Sequence, residues 1–145
     1  MTKAIAGEEL GKKLSQSIPD AIEEATGSCI VVKPQAVLQV ATHLKQSPDL
    51  DFDYLNCLTA VDYMEYMEVV YIMTSMQHNH SLVMKTRCNR ERPEVPSVTG
   101  VWKGADLQER EVYDLLGISF TGHPNLKRLF MWEGFEGHPL RRDYL

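Results

Sequence analysis

Most signatures of redox and nucleotide chemistry are missing from this sequence of 145 residues. It contains three cysteines, Cys29, Cys57 and Cys88, and their wide separation is typical of free thiols in a reducing compartment. An iron–sulfur cluster held by one chain usually needs four cysteines. The sequence also has no CxxC, P-loop, GxGxxG or HExxH motif. We therefore expect that the chain binds no cofactor or metal of its own.

Long hydrophobic runs and an excess of positive charge are missing as well. The longest apolar run, residues 69–73, is far shorter than the ~20 residues that a membrane-spanning helix needs. The N-terminus turns acidic before the apolar region of a signal peptide can form, so we expect a cytoplasmic protein that meets a membrane only through a partner. The 15 basic and 20 acidic residues give a net charge of -5, which argues against nucleic-acid binding.

Hydrophobic periodicity predicts two helices and a strand in the first third of the chain. Apolar residues recur every three or four positions over residues 8–26, which predicts a helix that ends at Gly27. The β-branched segment 28–33 predicts a strand. Pro34 then opens a second predicted helix, which ends before Pro48 because the residue preceding a proline avoids the helical region.

The pattern changes to a period of two in the middle of the chain. Alternating apolar and polar residues predict strands over residues 55–63, 68–76 and 81–87, with a turn at 77–80. Two helices beside sequentially connected strands indicate an α+β fold. We predict a two-layer domain in which helices pack on a mixed, largely antiparallel sheet.

A third helix is predicted over residues 106–116, with Gly117 ending it. Asp106 and Glu109 have the spacing of a capping box, in which Asp106 is the N-cap. The stripe that normally faces a core is mostly charged, and it consists of Leu107, Arg110, Glu111 and Asp114. These charges indicate either a solvated helix face or a network of ion pairs buried against another subunit.

The C-terminal segment, residues 117–145, shows neither a helical nor a strand period. It holds four of the nine glycines, two of the seven prolines and five of the twelve aromatic residues. An apolar, glycine-rich segment of this kind is typical of chain that packs along the surface of another protein. We therefore predict an α+β domain over residues 1–116 and an extended partner-docking arm over residues 117–145.

The histidines make a weak case for a metal site. His78 and His80 lie in a predicted turn, where we expect both side chains to be solvated. His123 and His138 each precede a proline, and zinc normally takes three or four ligands. Hydrogen bonds within turns are therefore the favoured interpretation for these two residues.

Residues 109–144 resemble the C subunit of respiratory complex I, also called the 30-kilodalton subunit of NADH-quinone oxidoreductase. The resemblance rests on EREVYDLLGI at residues 109–118, GHPNLKR at residues 122–128 and EGHPLRRDY at residues 136–144. Residues 95–99 and Trp102 also resemble the family. The N-terminal half fits only in its order of elements.

This resemblance implies a non-catalytic, peripheral-arm subunit of a proton-translocating NADH-quinone oxidoreductase or a close relative, on the cytoplasmic side of the membrane. It implies that iron–sulfur clusters, quinone and NADH or FMN are bound by partners, namely the quinone-site D subunit and its cluster-bearing neighbours. By the same resemblance, the residues expected at subunit interfaces are Glu109, Arg110, Glu111, Asp114, Phe120, His123, Arg128, His138 and Arg141. The alternative interpretation is a free-standing cytoplasmic adaptor with a docking tail.

The missing ligand motifs lead to a first prediction. The purified chain should carry less than stoichiometric iron, zinc and flavin, because its cysteines are few and dispersed. Elemental analysis and an absorbance spectrum test this directly. About one bound iron or zinc per chain, or a flavin absorbance band, would contradict it.

Overall fold

The structure, a computed structural model, describes residues 3–27, 29–132 and 134–144. The helices are α1 (Gly7–Ser17), α2 (Val37–Gln46) and α3 (Ala105–Leu116), with a 3₁₀ turn at Pro34–Ala36. The strands are β1 (Lys3–Ala4), β2 (Ile22–Thr26), β3 (Cys29–Val32), β4 (Tyr54–Asp62), β5 (Tyr66–Ser75), β6 (His80–Asn89), β7 (Glu94–Pro96) and β8 (Ser119–Thr121). No helix in the described ranges is long and apolar enough to cross a membrane.

A mixed six-stranded sheet forms the centre of the molecule. Its strand order is β2-β3-β6-β5-β4, and β1 also pairs with β6. Strands β4, β5 and β6 form an antiparallel meander, whereas β3 and β1 run parallel to β6. Strands β7 and β8 form a separate parallel pair in which Val95 lies opposite Phe120. The predicted α+β class, with a mixed and largely antiparallel sheet, is confirmed.

The helices pack on one face of the sheet. Successive side chains of a strand point to opposite faces, and Tyr71 and Met73 of β5 are fully buried in one apolar cluster with Leu14 of α1 and Leu44 of α2. Ile72, which alternates to the other face of β5, is exposed and lies outside that cluster. The sheet is therefore covered on one side, as a two-layer domain requires.

The predicted first helix is too long. Helix α1 ends at Ser17, and residues 22–26 form strand β2, paired antiparallel with β3. The register of this pair shifts between Ile22 and Glu24, as it does at a β-bulge. The bulge brings Ile22 and Ala25, three residues apart, into contact with the same core. A bulged strand therefore imitated the spacing of a helix.

The cysteines lie in the sheet and form no disulfide among the described residues. Cys88 is buried on the core side of β6, and burial raises the pKa of its thiol to about 11. Cys29 and Cys57 are half-buried, and burial also raises the pKa of Cys29. The Cys88 thiol is therefore protonated at neutral pH, in agreement with a structural role.

The histidines of the β5–β6 turn are not simply solvated, which corrects the expectation from the sequence. Nε2 of His78 lies 2.7 Å from the carbonyl oxygen of Pro48, and Nε2 of His80 lies 2.9 Å from that of Leu50. His80 also packs against the ring of Phe52 at 4.8 Å. These contacts tie the turn to the loop after α2, which no periodic pattern in the sequence could indicate.

Helix α1 approaches the sheet closely because glycines face it. A Cβ atom added to Gly11 would lie 2.6 Å from Cβ of Ala25, and one added to Gly7 would lie 2.6 Å from the carbonyl oxygen of Cys29. Both glycines are buried. Glycine destabilises a helix relative to alanine because it loses more conformational freedom on folding. These two glycines are nevertheless used because α1 lies so close to β2 and β3 that a larger residue would clash.

This close approach predicts that a side chain added at Gly11 destabilises the protein. Gly11→Ala should lower the free energy of unfolding by about 1–2 kcal/mol, because an overpacking cost at the upper end of ~1–3 kcal/mol outweighs the ~1 kcal/mol gain in helix propensity. Urea unfolding measures the change. Gly100→Ala, where a Cβ meets open space, is the control. Adding Ala25→Gly should restore most of the loss, and a Gly11→Ala variant as stable as the wild type would contradict this account.

Candidate functional site

The C-terminal arm lies back on α3 and completes the end of that helix. The last carbonyl groups of a helix have no partner within it. Three groups of the arm reach them instead. His138 Nδ1 lies 3.0 Å from the carbonyl oxygen of Asp114, the N–H of Leu140 donates to that of Leu115 at 2.8 Å, and Nε of Arg141 donates to that of Leu116 at 2.7 Å.

Gly117 makes this closure possible. It ends α3 in the left-handed conformation, with φ of 80°, as the sequence predicted. A Cβ atom at this position would lie 2.7 Å from Cδ2 of His138 and 2.8 Å from Nη2 of Arg141. Glycine is therefore required here both for the backbone conformation and for the approach of the arm.

The carboxylate of Asp114 is completely buried beneath the arm. It accepts hydrogen bonds from the N–H groups of Leu129, Phe130 and Met131 at 3.2, 2.6 and 3.0 Å, and from Nη1 of Arg128 at 3.2 Å. Burial alone would raise the pKa of Asp114, but the backbone donors and the guanidinium outweigh it and hold the pKa below its usual value. Asp114 is therefore ionised at neutral pH and fixes the shape of residues 128–131.

Two arginines support the same loop. Arg110 donates from Nε to the carbonyl oxygen of Lys127 at 3.1 Å and from Nη2 to that of Arg128 at 3.3 Å. Arg128 in turn donates to the carbonyl oxygen of Gly137 at 2.7 Å. The partner of Asp114 is thus Arg128, rather than Arg110 one helical turn away. Arg110 and Asp114 of the charged stripe are therefore used within the chain to hold the arm.

A second buried carboxylate, at the end of β4, anchors the far end of the arm. Asp62 accepts hydrogen bonds from Nε and Nη2 of Arg90, both at 2.9 Å, and from the N–H of Arg142 at 2.9 Å. Arg90 also contacts Asp143 of the arm at 3.0 Å. The hydrogen bonds from Arg90 hold the pKa of Asp62 well below its usual range. Sequence reasoning missed this anchor, because its members are far apart in the chain.

Glu109 does not complete a capping box. Gly104 occupies the N-cap position, Asp106 lies in the first turn, and no side chain caps the helix. The buried carboxyl of Glu109 instead accepts hydrogen bonds from Oγ of Ser97 at 2.6 Å and from the N–H of Val98 at 2.9 Å. Burial raises the pKa of Glu109. Its role is to hold the loop after β7 against α3.

A turn hydrogen bond of the predicted kind is found at His123 but not at His138, whose side chain instead reaches the end of α3. Nδ1 of His123 accepts the N–H of Asn125 within the turn at 3.0 Å, and its Nε2 reaches α3, where it lies 3.2 Å from the carbonyl oxygen of Asp106. Both ring nitrogens are therefore engaged within the chain. The described part of the chain contains no cluster of three or more histidine, cysteine, aspartate or glutamate residues suited to a metal ion.

Several large apolar side chains of the arm beyond β8 remain exposed. Phe130, Trp132 and Leu140 are 61%, 69% and 60% exposed. The Trp132 ring meets that of Phe135 edge-on at 4.7 Å, and Phe135 stacks on Tyr144 at 6.5 Å. We call these five residues the arm surface. Exposed apolar side chains in such number, three of them in ring contact, are typical of a site of protein interaction.

The structure divides the residues that the resemblance assigned to subunit interfaces. Three of them are internal, with no more than 2% exposure, and have no surface to offer a partner: Glu109, Asp114 and Phe120. Five are half-buried and bonded within the chain: Arg110, His123, Arg128, His138 and Arg141. Glu111 is exposed.

The core of the domain also continues beyond residue 116, because β8 pairs with β7.

The family follows from comparison with known proteins. Residues 30–145 match the family described as the respiratory-chain NADH dehydrogenase 30 Kd subunit, and this chain belongs to it. It is 42% identical over 139 residues to the C subunit of NADH-quinone oxidoreductase from Roseiflexus sp. (strain RS-1), covering 91% of this chain and 80% of the relative. It is 43% identical over 117 residues to the corresponding C subunit from Moorella thermoacetica, covering 79% and 78%.

Solved structures agree with this assignment. A trypsin-resistant fragment of Nqo5 superposes with a TM-score of 0.67 at 27% identity, covering 82% of this chain and 98% of the fragment. A chain of the membrane-bound sulfane sulfur reductase, an archaeal respiratory membrane complex, shares the fold with a TM-score of 0.74 at 23% identity, covering 94% and 84%. The predicted family is confirmed, and the comparisons favour membership of complex I over the free-standing adaptor.

The role of Asp114 can be tested by removing its charge alone. In Asp114→Asn, an NH₂ group replaces one acceptor oxygen and faces N–H donors, so arm closure should weaken by about 2 kcal/mol. Hydrogen exchange should show the amides of residues 129–131 losing protection while the β5 and β6 amides keep theirs. Glu111→Gln, an exposed change on the same helix, is the control. Unchanged protection at residues 129–131 would refute this role.

Proposed function

We propose that this chain is a non-catalytic subunit in the peripheral arm of a proton-translocating NADH-quinone oxidoreductase or a close relative. In this proposal it holds the quinone-site D subunit against the neighbouring subunits that carry the iron–sulfur clusters. Quinone and NADH or FMN also belong to partner subunits. The chain lies on the cytoplasmic side of the membrane and meets it only through the complex.

The observation that carries this proposal is the arm surface. Full burial of a large apolar side chain contributes about 1.5–3 kcal/mol, and several such side chains of the arm are exposed to water on the isolated chain. Aromatic residues are also enriched among those that dominate binding energy at protein interfaces. The arm surface therefore has the composition of an interface whose partner is another protein.

The scaffold beneath that surface is rigidly built. Asp114 and Asp62 hold the arm at two separate points, and the arm closes the end of α3. A surface that is already ordered within the chain loses less conformational entropy on association than a disordered tail does. This construction supports a docking role for the arm.

The buried carboxylates support a structural role rather than a catalytic one. Asp114, Asp62 and Glu109 each accept at least two hydrogen bonds from groups of the same chain. A general acid or base must instead reach a substrate proton. These carboxylates are occupied in shaping the fold, so they serve the proposed scaffold.

The proposal is tested on the assembled oxidoreductase. Phe130→Ser combined with Trp132→Ser should weaken rebinding to a complex depleted of this subunit by about 2 kcal/mol or more. Quinone reductase activity of the reconstituted complex should fall in parallel. The melting temperature of the isolated protein should hardly change, because both side chains are already exposed.

Leu38→Ser provides the matched control, since Leu38 is an exposed apolar residue on α2, 44% accessible. It should rebind as the wild type does. Normal assembly and activity of the Phe130→Ser/Trp132→Ser variant would show that the arm surface is not the docking site. A wild-type chain that fails to rebind the depleted complex would overturn the proposed function itself.

A further inference from the structure

A cleft of about 540 Å³ lies between α3 and the arm. Its walls come from Tyr113 of the helix and from Leu126, Lys127, Arg128, Met131 and Gly134 of the arm. The cleft exists because Asp114 binds the backbone of residues 129–131 and so bends the arm over the helix. Its volume is within the range of pockets that receive ligand groups.

The lining of the cleft combines apolar and cationic groups. Leu126 packs against the core and Met131 is half-buried, so both present apolar surface to the cleft. Lys127 is exposed at its edge. Among the described residues, neither Lys127 nor the nearby Arg110 has a carboxylate within ion-pair distance. The cleft therefore offers positive charge beside apolar surface.

The rim of the cleft indicates what kind of molecule enters. Phe130 and Trp132 flank Met131 in sequence, and both are largely exposed. A free small anion would satisfy the cationic edge and leave these two rings in water. A protein segment can satisfy the charge and cover the rings together, which gives a larger gain from apolar burial.

We infer that this cleft receives a segment of a partner protein in which a large apolar side chain stands next to an aspartate or glutamate. The apolar side chain lies on Leu126 and Met131, and the carboxylate meets the ammonium group of Lys127. This inference rests on the proposed function and deepens it, because it names the chemistry of the docked segment. Charge complementarity between the cationic edge and the acidic segment fixes its register.

The occupant can be identified by photocrosslinking in the assembled complex. Met131→benzoylphenylalanine places the reactive group in the cleft, and mass spectrometry then identifies the linked peptide. We expect one peptide from one neighbouring protein, with an aspartate or glutamate next to the apolar residue. Leu38→benzoylphenylalanine on α2 is the positional control and should not label that peptide. A linked peptide without an acidic residue would overturn the inference.

A charge reversal tests the ionic contact. Lys127→Glu should weaken rebinding to the depleted complex roughly tenfold or more and flatten its dependence on salt. The substitution leaves the fold intact, because only the carbonyl group of Lys127 is used in bracing the loop. Lys103→Glu is the control, because it makes the same charge reversal at another exposed position. Reversing the acidic residue of the linked peptide to lysine should restore binding to Lys127→Glu.

The outcomes separate this inference from the proposed function. If the wild type rebinds and the Phe130→Ser/Trp132→Ser variant does not, but Lys127→Glu rebinds normally, the arm docks and the cleft plays no part. If the wild type itself fails to rebind, the proposed role in the complex is wrong and the inference falls with it. Loss of binding in Lys127→Glu, with rescue by the reversed partner charge, supports both.

Discussion

The conformation of the arm depends on the burial of one carboxylate, that of Asp114. A buried charge is tolerated only when its hydrogen-bonding capacity is filled, and α3 alone cannot fill it. Three consecutive N–H groups and Arg128 do so, and they hold the backbone in one conformation. The outward direction of Phe130, the cleft above Tyr113 and the closure of the helix end all depend on that conformation.

The arm inverts the usual distribution of polar and apolar groups. Beyond β8, its inward contacts are largely ion pairs and hydrogen bonds, through Asp114, Asp62 and Arg141, while the rings of Phe130 and Trp132 face solvent. Directional bonds can fix a chain that has too little apolar surface to spare for its own core. The apolar surface is thereby left for association, which explains how one segment is both ordered and adapted for docking.

The sequence was informative where the chain is periodic and local. It predicted α2, the meander of β4 to β6 and the glycine end of α3, because side-chain spacing and backbone conformation leave direct traces in sequence. It failed at β2, where a bulge imitates helical spacing, and at Glu109, whose partners lie in a loop before the helix. The bond between Asp62 and Arg142 joins distant residues, and long-range pairing of polar groups has no period to detect.

The parallel pairing of β3 with β6 has a consequence for the order of folding. Cys29 lies beside Val83, so the intervening chain from α2 to β5 must be synthesised before β3 can pair with β6. Contacts between distant segments form slowly because loop closure comes first, whereas the β4–β6 meander needs only short turns. The meander therefore serves as the template for the N-terminal strands. During synthesis β1 and β3 cannot pair with β6 until β6 leaves the ribosome, whereas β3 can already pair with β2. We expect the acidic Glu23 and Glu24 to disfavour pairing of the outermost strand β2 with other chains.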